Sequence, residues 1–276
     1  MSSFSSNLAM AAQTWDGPYY ADHSDLQYNW DLNCIRKLKL NGSERVLDVG
    51  SGDGRATLFL ANQLPRGRVL GIDPSLSMIE KAKEQPAKAN FTNLEFKHAS
   101  AAEITEINTY DYVTSFNVFH WIDDPLIALK NIANSLKPGG KVFIFYLPDH
   151  GRPRMLWAVQ SMMMKPKWKE YFKDYKSHFF TYSPQQMSMW INEAGLLFSR
   201  MEIVRVQERF SSSDAFKKWM LPIMQGYLSY LPQESHEEFL TGIFEEYLRV
   251  MKLDQGNATF VEHFLEIEAE KPAANG

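Results

Sequence analysis

The residues of this chain best spaced for chemistry lie in Val46-Leu47-Asp48-Val49-Gly50-Ser51-Gly52-Asp53-Gly54. A tight turn from strand to helix needs residues without Cβ, and glycine lets a ligand come close to the backbone. Gly50 and Gly52 fit a dinucleotide fingerprint, but Arg55 occupies its third small-residue position. A phosphate-cradling P-loop is excluded, because no Gly-Lys-Ser/Thr follows. Asp48 stands before the glycines, where a carboxylate repels phosphate and attracts an amino or sulfonium cation. Asp73, roughly 20 residues further on, closes the next apolar run and suits a ribose diol. A nucleoside with an amino-acid tail satisfies both acids. Capping of nearby backbone N–H groups is the competing role for Asp48 and Asp73.

These residues need a scaffold, and the flanking periodicity predicts one. Leu26, Trp30, Cys34 and Leu38 make a helical row over residues 25–40, closed by Asn41-Gly42. Short apolar strands are expected at 45–49, 69–73, 94–98, 110–116 and 141–147. Helices between them carry Ala56, Leu60 and Leu64, then Met78, Ile79 and Ala82, then residues 126–136. Strand and helix thus alternate through residue 147, the pattern of a parallel sheet with helices on both faces. After Pro148 the alternation stops. Residues 155–182 are rich in Met and aromatic side chains, 183–195 read as a capped helix, and 202–206 as a strand. Residues 212–252 read as two helices broken near Pro232, and 260–267 as a last strand.

Composition narrows the function. The chain has 276 residues, 45% hydrophobic and 22% charged, with 29 Lys and Arg against 33 Asp and Glu. A net charge of −4 argues against a dedicated nucleic-acid binder, which needs a basic excess. One cysteine, Cys34, permits no internal disulfide and fits a reducing compartment. No basic residue precedes Arg36, so neither a secretory signal nor a transit peptide is read. No apolar run reaches the ~18 residues of a membrane span. A cytoplasmic protein, monomer or homodimer, is expected, and no metal-ligand cluster is read.

Three segments in order carry a family resemblance: V-L-D-V-G-S-G-D-G, then G-I-D-P-S-x-x-M from Gly71 to Met78, then L-K-P-G-G from Leu136 to Gly140. Together they resemble class I S-adenosylmethionine-dependent methyltransferases. The resemblance implies a Rossmann-like, doubly wound, seven-stranded and mostly parallel α/β sheet, with a helical cap inserted in the C-terminal half. Residues 1–24 would form a lid and 25–147 the cofactor-binding core. Residues 148–182 and 207–257 would form a substrate cap, and 183–206 and 258–270 the remainder of the sheet. It implies that Gly50, Ser51 and Gly52 approach the methionine part of the cofactor, with Asp48 acting at the loop. Asp73 would hold the ribose, and Pro74 and Met78 would flank the adenine. Met78 also lies on an apolar helix face, where core packing competes. The family's acid after the third strand is replaced by Ala99-Ser100-Ala101, so Ser100 stands in at the adenine amino group, beside Ala101.

The segment Asn117-Val118-Phe119-His120-Trp121 lacks the N/D-P-P-Y of amino-directed enzymes. It resembles the carboxyl O-methyltransferases for trans-aconitate, juvenile hormone acid and malonyl carrier protein. Residues 20–27 resemble their lid, which places Gln27 at cofactor and substrate, with Asn117 at the cofactor. Residues 212–219 and 239–248 resemble the helical cap of the first two. A carboxylic acid of pKa ~4 is already ionised at neutral pH, so the implied chemistry is in-line attack on the sulfonium methyl without a general base. Gln27, His120 and Trp121 would orient the carboxylate, although core packing of Trp121 and a structural His120 compete. The acceptor would be a small-molecule or acyl-chain acid, free or on a carrier. The lysines among 165–176 are either a guide for such a carrier or a solvated face. Two other readings stand beside this one: O-, N- or C-methylation with His120 or His178 as base, and a non-catalytic cofactor-binding module.

Overall fold

The computed structural model describes residues 15–89, 91–151, 154–254 and 258–273. Residues 1–14 of the expected lid, and 152–153 and 255–257 of the expected cap, lie outside the described residues.

Strands β1 (Arg45–Val49), β2 (Arg68–Asp73), β3 (Leu94–His98), β4 (Tyr110–Phe116), β5 (Leu136–Tyr146), β6 (Leu197–Arg209) and β7 (Thr259–Glu270) form one sheet in the order 3-2-1-4-5-7-6. Strands β1 to β5 pair in parallel, and β7 runs antiparallel to both β5 and β6. This is the doubly wound, mostly parallel sheet expected from the sequence. Helices cover both faces: α1 (Gly17–His23), α2 (Asp25–Ile35), α3 (Arg55–Asn62), α4 (Leu76–Ala89), α5 (Pro125–Ser135), α6 (Arg154–Met163), α7 (Pro184–Glu193), α8 (Ser213–Leu228) and α9 (His236–Met251). The central strands are covered on both faces, so they read as continuous apolar runs. One core cluster packs Trp30, Leu60, Phe143 and Phe216; the other packs Leu47, Val113, Leu129, Ile144 and Met187.

Three elements differ from their sequence expectation. The 25–40 helix stops at Ile35, and Leu38 reaches the core from the turn that follows. Strand β5 begins at Leu136 and runs through Pro138-Gly139-Gly140. Proline cannot donate to the ladder, and the pairing with β4 shifts register there, which is why those residues read as a turn. Strand β6 spans 13 residues, well beyond 202–206. It is an edge strand whose strict alternation is broken by Leu197-Phe198 and Ile203-Val204.

The β6–β7 ribbon has a consequence for the site. Strand β5 pairs with β7 only as far as Tyr146↔Leu265, while β6 continues to Arg209↔Thr259. The first residues of β7 therefore rise past the end of β5. Phe260 stacks on Trp30 of α2 and meets Trp219 of α8. Among the described residues no helix is long and apolar enough to cross a membrane.

Candidate active site

The strand order reverses between β1 and β4, and at such a switch point the loops part to leave a cleft at the C-terminal strand ends. A cavity of about 250 Å³ lies there, walled by the glycine loop, Asp73, Pro74, Met78, Asn117 and Trp121. Gly50 has φ +77°, and a Cβ on it would lie 2.2 Å from Val118. Gly52 has φ +54°, and a Cβ there would meet nothing within 4 Å. The loop is thus closed behind and open in front. Ser51 is buried and its Oγ has no hydrogen-bond partner among the described residues, an unsatisfied group on the cleft wall. Asp73 accepts from the Gly52 and Ser75 amides at 3.0 and 2.8 Å. Burial lifts its carboxyl to about 6. Met78 is buried and also lines the cleft, so its packing and cleft positions coincide.

Three residues assigned to the cofactor by resemblance sit elsewhere. Asp48 points under the loop, where it accepts from Thr57 and Thr114 hydroxyls at 2.6 and 2.9 Å. It ties β1, β4 and α3 together and does not wall the cleft. Ser100 closes a capping box, its hydroxyl and amide both donating to Glu103 at 2.8 Å. Ala101 packs into the second core cluster. The local turn ties the hydroxyl proton and the amide of Ser100 to Glu103.

Next to the cleft, and sharing Asn117 and Trp121 with it, lies an apolar chamber of about 100 Å³. Gln27 lines this chamber, which adjoins the glycine-loop cleft. Its Oε1 accepts from Trp219 Nε1 at 3.0 Å, which leaves its amide N–H groups as the remaining donors. His120 lines the same chamber, and its Nδ1 lies 3.2 Å from the Leu147 amide. An amide can only donate, so Nδ1 accepts and the ring proton resides on Nε2. Burial pushes the His120 pKa down to about 3. Trp121 makes edge contacts with Trp15 and Phe179. The structure therefore brings Gln27, His120 and Trp121 to one chamber, and each side chain carries an N–H.

Other wall residues had no counterpart in the sequence reading. Asp31 lines the cleft and accepts from Asn117 Nδ2 at 2.8 Å. Burial, then the negative charge of Asp48, hold its carboxyl well above the usual range. It sits four residues after Gln27 on α2, a spacing that shares a helix face and was the available signal. Arg55, a mismatch to the dinucleotide fingerprint, bonds Asp53 at 2.8 Å, Asp25 at 2.7 Å and Ser24 Oγ at 2.6 Å. Its guanidinium also lies 4.9 Å from the Tyr28 ring centroid. It clamps α2 and the end of α1 to the glycine loop. Among the described residues the cleft wall carries three carboxyl groups, Asp31, Asp53 and Asp73, and one cation, Arg55, a set that favours a positively charged ligand.

Residues 47–142 match the methyltransferase domain family. A protein of Invertebrate iridescent virus 6 that carries the name methyltransferase 235L is 28% identical over 84% of this chain and 85% of its own. The juvenile hormone acid O-methyltransferase of Drosophila melanogaster is 27% identical over 82% of this chain and 77% of its own. The fold is also that of the YcgJ protein of Bacillus subtilis, with a TM-score of 0.65 at 16% identity over 88% of this chain and 98% of that one. Sheet order, cleft and domain match together define a class I methyltransferase. The chain is an S-adenosylmethionine-dependent methyltransferase, similar to the juvenile hormone acid and trans-aconitate enzymes.

Proposed function

We propose that this enzyme methylates the carboxylate of an acid with one charged head and an apolar body, without a general base. The observation that carries this reading is the Leu147 amide on His120 Nδ1. With that lone pair engaged and the proton on Nε2, His120 is a hydrogen-bond donor and has no free site to accept a proton. Gln27 and Trp121 are donors as well. A carboxylate needs orientation by such groups and needs no proton removed. The walls of the chamber, Trp30, Met155, Val159, Trp219 and Phe264 among them, favour an apolar body and exclude water. No Lys or Arg lines the chamber among the described residues. A tricarboxylate would leave charges unpaired there, so a single head is favoured. The lysines of 165–176 stand apart from that wall, and Lys167 pairs with Glu238, which favours a free acid over a carrier-bound one.

When bound, S-adenosylmethionine supplies an electrophilic sulfonium methyl. Gly50, Ser51 and Gly52 are assigned to its amino-acid part, where the orphaned Ser51 hydroxyl would gain a partner. Asp73 is assigned to the ribose hydroxyls, and Pro74 and Met78 to the adenine. Asp31, held by Asn117, is assigned to the cationic groups, whose approach would favour its ionised form. Residues 25–147 carry this cleft in the proposed division of labour. Segments 148–182 and 207–257 supply the cap, 183–206 and 258–270 complete the sheet, and the described part of the lid, 15–24, covers the cleft.

The test uses S-adenosylmethionine labelled in its methyl group with a panel of mono- and tricarboxylic acids. Product label released by base as volatile methanol, from monocarboxylates only, is the expected result. Base-stable label would overturn the carboxyl reading and direct attention to His178, which lies on the cleft wall.

A further inference from the structure

Among the described residues the chamber contains one carboxyl group, and methyl transfer does not use it. Glu262 lies on β7 between Phe260 and Phe264, all three on the same face of the strand by the two-residue period. All three line the chamber. The Glu262 side chain is 3% exposed. Its Oε1 accepts from the Met155 amide at 2.9 Å, and its Oε2 stands 4.0 Å from the Arg154 guanidinium. The Met155 amide belongs to the first turn of α6, where N–H groups lack helical partners. A glutamine would satisfy that amide equally well, without the cost of burying a carboxylate among Phe260, Phe264 and Met224. The acid is thus more than the fold requires.

Its position gives it a use. The β5–β7 pairing ends at Tyr146↔Leu265, and the amide of the next residue, Leu147, holds His120. Glu262 stands three residues of β7, roughly 10 Å of strand, beyond Leu265. It is a hydrogen-bonding group on β7, an element other than those that carry Gln27, His120 and Trp121, and Phe260 and Phe264 flank it on the same strand face. Burial raises the Glu262 carboxyl to about 7, so both its donating and accepting forms are available near neutrality. The neighbouring Arg154, itself 3.0 Å from His263, disfavours a cation there.

We propose that Glu262 forms a second recognition subsite, which binds a neutral oxygen function, hydroxyl or oxo, on the acceptor at a distance from the methylated group. The proposal takes only the identity of the head group from the carboxyl reading.

The test measures ligand binding by tryptophan fluorescence, which Trp30, Trp121 and Trp219 in the chamber wall permit, in the enzyme saturated with S-adenosylhomocysteine. The probes are straight-chain fatty acids of graded length, each paired with its terminal hydroxy and oxo derivatives, and the matching primary alcohols in place of the acids. The expected result is that at one chain length the oxygenated tail binds about tenfold tighter than the plain one, as one hydrogen bond to a buried acid allows. E262Q should keep most of this ratio. E262M should collapse it toward one, by weakening only the oxygenated ligand. Equal binding of plain and oxygenated tails at every length, or an unchanged ratio in E262M, would overturn the subsite. Loss of the preference for acid over alcohol heads, with the tail ratio intact, would instead sink the carboxyl reading and leave this one standing.

Discussion

His120 shows how one hydrogen bond decides a chemical role. A histidine beside a methyl-transfer cleft is an obvious candidate base. The Leu147 amide on Nδ1 and the burial of the ring make it a neutral donor instead. Between about pH 6 and pH 9, turnover should therefore show no ascending limb of the kind a titrating imidazole base produces. A pH–rate profile checks this, and a clear rise through the histidine range would refute it. Trp121 gives a second expectation. Trp121→Phe keeps an aromatic ring against Trp15 and Phe179 but removes the N–H. Turnover should fall roughly tenfold or more, the scale of losing one positioned donor, while S-adenosylhomocysteine affinity measured by calorimetry stays within about twofold. A variant as active as the parent would remove Trp121 from the carboxylate site.

Elements, rather than single residues, hold the cleft closed. Arg55 opens α3 and reaches across to Asp25 and Ser24 at the junction of α1 and α2, while Asp53 anchors it to the glycine loop. Gly17 at the start of α1 donates to Ser77 of α4 at 3.0 Å. Trp15 rests its edge on Trp121. The lid helix is thus pinned at both ends. Arg55→Met retains much of the aliphatic stem and deletes the charged bonds. It should raise the dissociation constant of S-adenosylhomocysteine by about tenfold, since hydrogen bonds to charged groups are worth about 1.5–3 kcal/mol. It should also speed proteolysis between residues 15 and 24. Unchanged affinity and unchanged proteolysis would mean that the lid is held by its aromatic contacts alone.

Across the whole molecule, buried acids gather at one end of the sheet. Asp31 and Asp73 wall the cleft and Glu262 the chamber. Burial raises all three above their ordinary values, Asp73 to about 6 and Glu262 to about 7. A carboxyl raised in the folded state binds its proton more tightly there than in the unfolded chain. Its stabilising contribution is complete below the unfolded pKa and is lost as pH rises through the folded one. The cofactor-free protein should therefore melt at lower temperature as pH rises from about 5 to about 8, and Asp73→Asn should flatten the profile. Thermal melts with and without S-adenosylhomocysteine check this. An identical slope in the variant would show that Asp73 is not a principal source.

The sequence by itself determined the parallel sheet, because central strands buried on both faces must be apolar runs, and such runs between amphipathic helices are local signals. It also determined the glycine turn and Asp73, since backbone approach and positive φ leave few residue choices. It marked His120, Trp121 and Gln27 as chemistry-bearing, but not what each nitrogen does. Only the tertiary structure decided that. The partners that fix those roles, Leu147 for His120 and Trp219 for Gln27, are remote in sequence and are met only when β5 and α8 fold against the site. The same holds for Asp48, claimed by Thr57 and Thr114 beneath the loop, and for Ser100, spent on Glu103. Glu262 looks in sequence like an ordinary surface charge, Asp31 is marked only by its helical spacing from Gln27, and Arg55 only by its misfit to the dinucleotide fingerprint. Their chemistry arises from burial and from partners met on folding.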